Sequence, residues 1–293
     1  MTTDDLTVFF GDLTFHRAVV YARLARPADD AGLSLAGQVR GPRCLHSQTL
    51  PATSPLVDLG PGPTLLARAV LPDPCCWSAD VPQIYDVIVN VLRGTEIIAT
   101  ARREVGLRPL GTRGRDLLYA GKRVVLRGVS TTSTSAKLPR DWHETSAVYV
   151  AGDPSDEALA EASQWGALAV VHLPASGDEA VARLRKLAEF PAAAIAIPLG
   201  DMPADFQKSA VCPNLLLGQF LGPDQAFHVE PWADLLVISA DSPDHLQTAA
   251  ALDKPVIVAR YLEQPLDISA ARAACDELQR DLAPISQFAG YIV

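Results

Sequence analysis

From about residue 145 onward, short unbroken apolar runs alternate with amphipathic stretches, and this alternation constrains the chain more than any other feature. The runs are AVYVAG, ALAVVHLP, AAAIAIPL, NLLLGQFL, DLLVISAD, PVIVARYL and FAGYIV. Between several of them lie DEALAEASQW, GDEAVARLRKLAEF, DHLQTAAALD and SAARAACDELQRDL, which carry apolar residues at helical spacing. A strand that is apolar at every position needs cover on both faces, and intervening helices supply it. The strands are therefore expected to be parallel. Counting VVLRGVS at 124–130 as the opening strand gives seven or eight β/α units. That number favours a closed (β/α)₈ barrel of the TIM type, built in less than the usual ~250 residues and hence short-looped. An open doubly wound sheet is the alternative, but no Gly-rich phosphate loop follows any strand.

The first 120 or so residues have a different rhythm. LSLAGQV alternates with period two, and clusters of Pro, Gly, Ser and Asp break the region into short pieces. In IYDVIVNVLRGTEIIATARREV, Ile84 to Leu92 alternate, Arg93-Gly94 turn the chain and Thr95 to Val105 return, which predicts a β-hairpin. Strands with regular turn signals predict an immunoglobulin-like β-sandwich. The expected domains are a sandwich over 1–115 and a compact barrel over 116–293. In the second domain, Asp153-Pro154 are expected to cap the helix DEALAEASQW, with Gly166 as its stop.

Composition excludes several classes of function. The chain is 48% hydrophobic with a net charge of −9, and its Arg clusters are interrupted by apolar residues. A nucleic-acid partner is not expected, because such surfaces are basic. No run approaches the ~20 apolar residues of a membrane span, and the acidic start MTTDDLTVFF has no signal-peptide core. Five cysteines, at 44, 75, 76, 212 and 275, form no CxxC or zinc spacing. They read as reduced, partly buried thiols of a cytoplasmic protein, and neither a cofactor nor a metal is expected.

Several motifs then occur in a telling order. LPDPCCWSADVPQIYDVIVNV places Trp77, Pro82 and Tyr85 ahead of the hairpin. Gly106-Leu107-Arg108 follows it, and LLYAGKRVVLRGVS leads into the first barrel strand. Together these resemble glycoside hydrolase family 2, the group of β-galactosidases, β-mannosidases and β-glucuronidases. The resemblance covers about residues 65–293. Gly121, Lys122, Arg127, Gly128 and Val129 match its barrel-entry segment, while Ala120 replaces the usual asparagine. The family's N-terminal sugar-binding jelly roll is not recognisable in residues 1–64.

The resemblance implies two glutamates, acid/base and nucleophile, about 5–5.5 Å apart in a retaining mechanism. The acid/base would end barrel strand four, after His-Pro and an apolar run. CPNLLLGQFLGPDQ is matched to that pattern, which puts Gly222-Pro223 where Asn-Glu is implied. The nucleophile would end strand seven, in Lys-Pro, an apolar run and Glu-Tyr. Here Lys254-Pro255 and VIVA lead to Arg260-Tyr261. Proline carries no proton to transfer, and a guanidinium stays protonated and cannot attack a sugar. The family's strand-two Arg and His-Tyr-Pro are matched to Ala169, His172 and Pro174, and its strand-one Asn and His to Ser130, Thr131 and Thr132.

These replacements predict a family 2-like pseudoenzyme with a binding or scaffolding role toward a carbohydrate or a protein. The alternative is a residual glycosidase or other hydrolase whose acids have moved, with His172, Asp224 and Asp201 as its candidate residues. Asp241, Asp244 and His245 also follow strand ends, where a hard metal or a sugar could bind, but they read more readily as solvated loop residues and helix caps. Trp142 and Trp232 suit sugar stacking or, more simply, core packing. Arg260 is expected to meet a carboxylate or backbone carbonyls.

Overall fold

The computed structural model describes residues 5–25, 32–131, 141–142, 147–262 and 266–293. It divides into two compact units: Met1–Arg108 with Glu189–Pro191, and Pro109–Ala188 with Ala192–Val293.

The first unit contains seven antiparallel strands: β1 (Thr7–Gly11), β2 (Arg17–Ala25), β3 (Leu33–Arg43), β4 (Ala52–Asp58), β5 (Thr64–Pro72), β6 (Ile84–Arg93) and β7 (Glu96–Val105). Their order is β1-β2-β5-β4-β3-β6-β7. The start of β4 pairs with β3, whereas Val57 and Asp58 at its end pair with β5. One strand thus crosses between two sheets, and the whole curls around a single core, as a sandwich requires. Alternate residues supply that core: Leu33, Leu35 and Val39 from β3, and Tyr85, Val87, Val89 and Val91 from β6. Gly37 breaks the alternation because a Cβ there would lie 1.9 Å from the Ile88 carbonyl oxygen. The β6–β7 hairpin turns at Gly94, at φ 61°, within a residue of the sequence expectation.

The second unit opens with a small sheet of β8 (Leu110–Arg113), β9 (Asp116–Tyr119) and β10 (Lys122–Val124). Leu117, fully buried, joins the barrel core, with Leu110 and Val124 packed against it. These three side chains precede the first barrel strand, so they close the amino end of the barrel. The turn before β10 holds Ala120 at φ 49°, in the left-handed region. Asparagine tolerates that region better than alanine does.

Eight parallel strands then form a closed barrel: β11 (Leu126–Thr131), β12 (Val148–Ala151), β13 (Ala169–Leu173), β14 (Ala193–Pro198), β15 (Leu216–Leu221), β16 (Leu235–Ser239), β17 (Val256–Ala259) and β18 (Gly290–Ile292). Helices that follow the barrel strands among the described residues include α1 (Asp156–Trp165), α2 (Gly177–Leu187), α3 (Lys208–Val211), α4 (Pro243–Ala250) and α5 (Ile268–Leu282). Strand β18 pairs with both β11 and β17, which completes the ring. The lumen is narrow. A Cβ on Gly128 would meet Val150 Cγ2 at 2.8 Å and Ile292 Cγ1 at 3.0 Å.

One helix boundary differs from the expectation. Ser155, not Asp153, caps α1 by accepting a hydrogen bond from Ala158 N. Asp153 instead accepts from Arg183 Nε at 2.8 Å, and Pro154 lies outside the helix. The cap falls to the side chain that can reach the third helical N–H, and Asp153 is held elsewhere.

Candidate functional site at the carboxyl end of the barrel

Enzymes built on this kind of barrel place their chemistry where the strands end. Alternation from residues that line the core identifies which side chains face the lumen there. Leu126 on the first strand leads to Ser130, and Val170 on the third leads to His172. Ile197 on the fourth leads to Leu199, and Leu216 on the fifth leads to Phe220. Val237 on the sixth leads to Ser239, and Ala259 on the seventh leads to Tyr261. None of these six residues is acidic.

Three of them touch. The Tyr261 hydroxyl lies 3.0 Å from His172 Nε2. Their rings meet edge to face, with centroids 5.5 Å apart and planes at 76°. Phe220 packs on the other flank of Tyr261, centroid to centroid at 6.1 Å. Burial lowers the His172 pKa from its ordinary value, and burial raises that of the Tyr261 hydroxyl. Both groups are therefore neutral near pH 7. A neutral imidazole beside a phenol can exchange a hydrogen bond, but the pair holds no charge with which to polarise a glycosidic bond. Among the described residues, the His172 ring forms no ion pair with a carboxylate.

The other predicted residues are dispersed. Asp201 is exposed on the connection after the fourth strand, and its backbone carbonyl accepts from Gly177 N at 2.8 Å. Pro223 and Asp224 are exposed in a turn that Gln225 closes by accepting from Gly222 N at 2.7 Å. Asp241 and Asp244 are exposed around the start of α4, and His245 packs its ring 5.5 Å from Phe227. Arg260 is half-buried, and its backbone N–H donates to Ile292 O at 2.8 Å. Neither of the expected partners for its guanidinium, a carboxylate or backbone carbonyls, is found among the described residues. Trp142 is 2% exposed and packs edge to face on Tyr149, so it is a core residue. Trp232 precedes the sixth strand and so sits toward the amino end, away from the mouth. Thr132 lies outside the described residues. A cavity of about 380 Å³ opens beside Ser130 and Thr131, lined also by Asp141, Asp267 and Ser269. No group of three or more His, Cys, Asp or Glu side chains suited to a metal ion occurs among the described residues.

Comparison with known proteins fixes the architecture. A glycosyl hydrolase family 2 member from Bacteroides cellulosilyticus superimposes on 99% of this chain, with a TM-score of 0.64 and 12% identity. The Bacteroides uniformis β-glucuronidase superimposes on 98%, with a TM-score of 0.62 and 14% identity. The chain has the fold of glycosyl hydrolase family 2. It spans 43% and 45% of those two proteins' lengths. The β-galactosidase of Streptococcus thermophilus is 33% identical over 64 residues, which is 22% of this chain and 6% of that protein. No family model matches the chain.

Within the family 2 fold, strand order corrects two of the sequence assignments. Leu216–Leu221 is the fifth barrel strand, not the fourth, so Pro223 does not end strand four. The fourth strand is Ala193–Pro198, preceded by Pro191 and followed by Leu199-Gly200-Asp201. His172 lies on the third strand, because Val148–Ala151 is the second. Both slips have one cause. Each family motif is matched there to a locally similar apolar run, against the run order, in which ALAVVHLP is third and NLLLGQFL fifth once VVLRGVS opens the barrel. Pro191 was the available signal, since it stands before an apolar run ending near an acid. The seventh-strand assignment agrees with the ring order, where Val256–Ala259 is strand seven and Arg260 follows it. Tyr261 as the partner of His172 was not anticipated; its place in the alternation after Ile257 and Ala259 was the clue.

Proposed function

We propose that this chain is a family 2-fold protein that does not cleave glycosidic bonds and whose barrel mouth serves binding. The observation that carries the reading is the end of strand seven. There the resemblance implies a nucleophilic glutamate, and the chain supplies Arg260 followed by Tyr261, whose ring is engaged by His172 and Phe220. Double displacement needs two carboxyl groups facing each other across the anomeric carbon. The six lumen-facing residues at the strand ends provide none. Asp201 stands near the acid/base position of strand four, but an acid without a nucleophile lacks the covalent route.

A specific observation favours one competing reading. Asp201 lies just past the end of strand four, so a residual hydrolase would use it as proton donor to the leaving group. The test is a panel of aryl β-glycosides, including a β-glucuronide and a β-galactoside, with the purified chain and its Asp201→Asn variant. The expected result is no release of phenol from any substrate by either protein. Turnover by the parent chain that Asp201→Asn removes would overturn the proposal and establish the residual enzyme.

A further inference from the structure

The surface surrounding the mouth has a composition that a small sugar does not require. Leu199 is 51% exposed, Tyr261 43% and Leu262 45%, and Phe220 is half-buried beside them. The fourth strand lies between the third and the fifth, so Leu199 stands between His172 and Phe220, and Tyr261 contacts both of those rings. Leu199, Phe220 and Tyr261 thus form one patch. Contiguous apolar surface rimmed by polar residues is a mark of an interaction site.

The connections around this patch carry charge of one sign. Residues 199–207, 222–234 and 240–250, which follow strands four, five and six, contain no Lys or Arg. They contribute Asp201, Asp205, Asp224, Asp241 and Asp244, all exposed, while Glu230 is half-buried and faces His228. Asp234 also lies in this stretch, but it is paired with Lys208. Arg260, beside Tyr261, offsets only part of this charge. An apolar centre with a charged, solvated rim is the anatomy of a protein-binding surface. The sign of the rim selects among occupants. Nucleic acid and anionic lipid are repelled, and so is a second copy of this chain, which brings the same acids and a net charge of −9.

We infer that the carboxyl-end mouth docks a basic protein segment in which Lys or Arg residues flank an apolar anchor. The anchor packs on Leu199, Phe220 and Tyr261, and the flanking cations face Asp201, Asp224 and Asp241. This rests on the reading that the mouth binds rather than cleaves, and it names the occupant.

The experiment pans a phage-displayed library of random dodecapeptides on the immobilised 293-residue chain. Enriched peptides are then synthesised, labelled and titrated by fluorescence anisotropy at two salt concentrations. The expected consensus is an aromatic or aliphatic residue flanked by Lys or Arg. Leu199→Ser, at an exposed position that folding tolerates, should weaken binding about tenfold. Each of Asp201→Asn, Asp224→Asn and Asp241→Asn should weaken it about twofold to fivefold and flatten its salt dependence. No enrichment, a neutral or acidic consensus, or binding indifferent to these variants would overturn the inference. Aryl-glycoside turnover is measured separately. A chain that is inert toward glycosides and yields no basic-apolar consensus fails this inference alone, whereas one that hydrolyses them fails the reading beneath it.

Discussion

Removing the Tyr261 ring should loosen the carboxyl end of the barrel, and the structure sets the scale. Tyr261→Phe keeps both ring contacts and removes only the hydroxyl that meets His172 Nε2 at 3.0 Å. A hydrogen bond of this type contributes about 0.5–1.5 kcal/mol net, and His172 is exposed enough for water to take the vacated place. The expected loss is therefore about 1 kcal/mol. Tyr261→Ala also removes the edge-to-face contact with His172 and the tilted contact with Phe220. Each aromatic pair contributes roughly 0.5–1.5 kcal/mol beyond its buried area, so the total should reach about 2–4 kcal/mol. The assay must report on the barrel unit alone, because a chain of two units need not unfold in one step. Cys275 provides that report. It is 1% exposed, and its thiol lies 3.4 Å from the carbonyls of Gly128 and Tyr291 on the first and eighth strands. The rate at which a thiol reagent labels Cys275 under native conditions gives the free energy of barrel opening. If Tyr261→Ala opens the barrel no more readily than Tyr261→Phe, the ring is not packed and the account of a mouth closed by aromatic side chains is wrong.

Other expectations can be checked directly. Burial holds the folded-state pKa of His172 below its unfolded value of about 6.5, so the unfolded chain binds the extra proton first. Barrel stability should fall as pH drops below about 6.5 and level off once the folded-state pKa is passed; His172→Asn should reduce that slope in a denaturant series. Burial raises the Cys212 thiol to about 12 and the Cys275 thiol to about 11, so both should resist a disulfide reagent at pH 8 until the chain unfolds. Cys44, Cys75 and Cys76, each half-buried, should react first, and early labelling of all five would contradict the burial. Gly128→Val forces a side chain against Val150 and Ile292 and should cost about 1–3 kcal/mol by the same Cys275 assay. Ala120→Asn, at φ 49°, should stabilise the barrel unit by about 0.5–1 kcal/mol in thermal unfolding, and an unchanged midpoint would show the turn to be unstrained.

The sequence by itself determined the parts whose signals are local. Period-two alternation in LSLAGQV and IYDVIVNV fixed which faces of β3 and β6 enter the sandwich core, because a strand one residue out of register would turn those valines to solvent. Unbroken runs such as AAIAIP could only be strands covered on both faces, and their alternation with helices led to a closed parallel ring. The order of the apolar runs also gives each strand its place: from VVLRGVS, Leu216–Leu221 is fifth, and the pairing of neighbours agrees, so a local motif likeness alone is a poor guide to strand number. Tertiary structure decided what one dimension does not carry, namely which side chains meet across the lumen. His172 and Tyr261 are 89 residues apart and share no local pattern; only closure of the barrel brings an imidazole and a phenol to 3.0 Å where the resemblance implied a carboxylate.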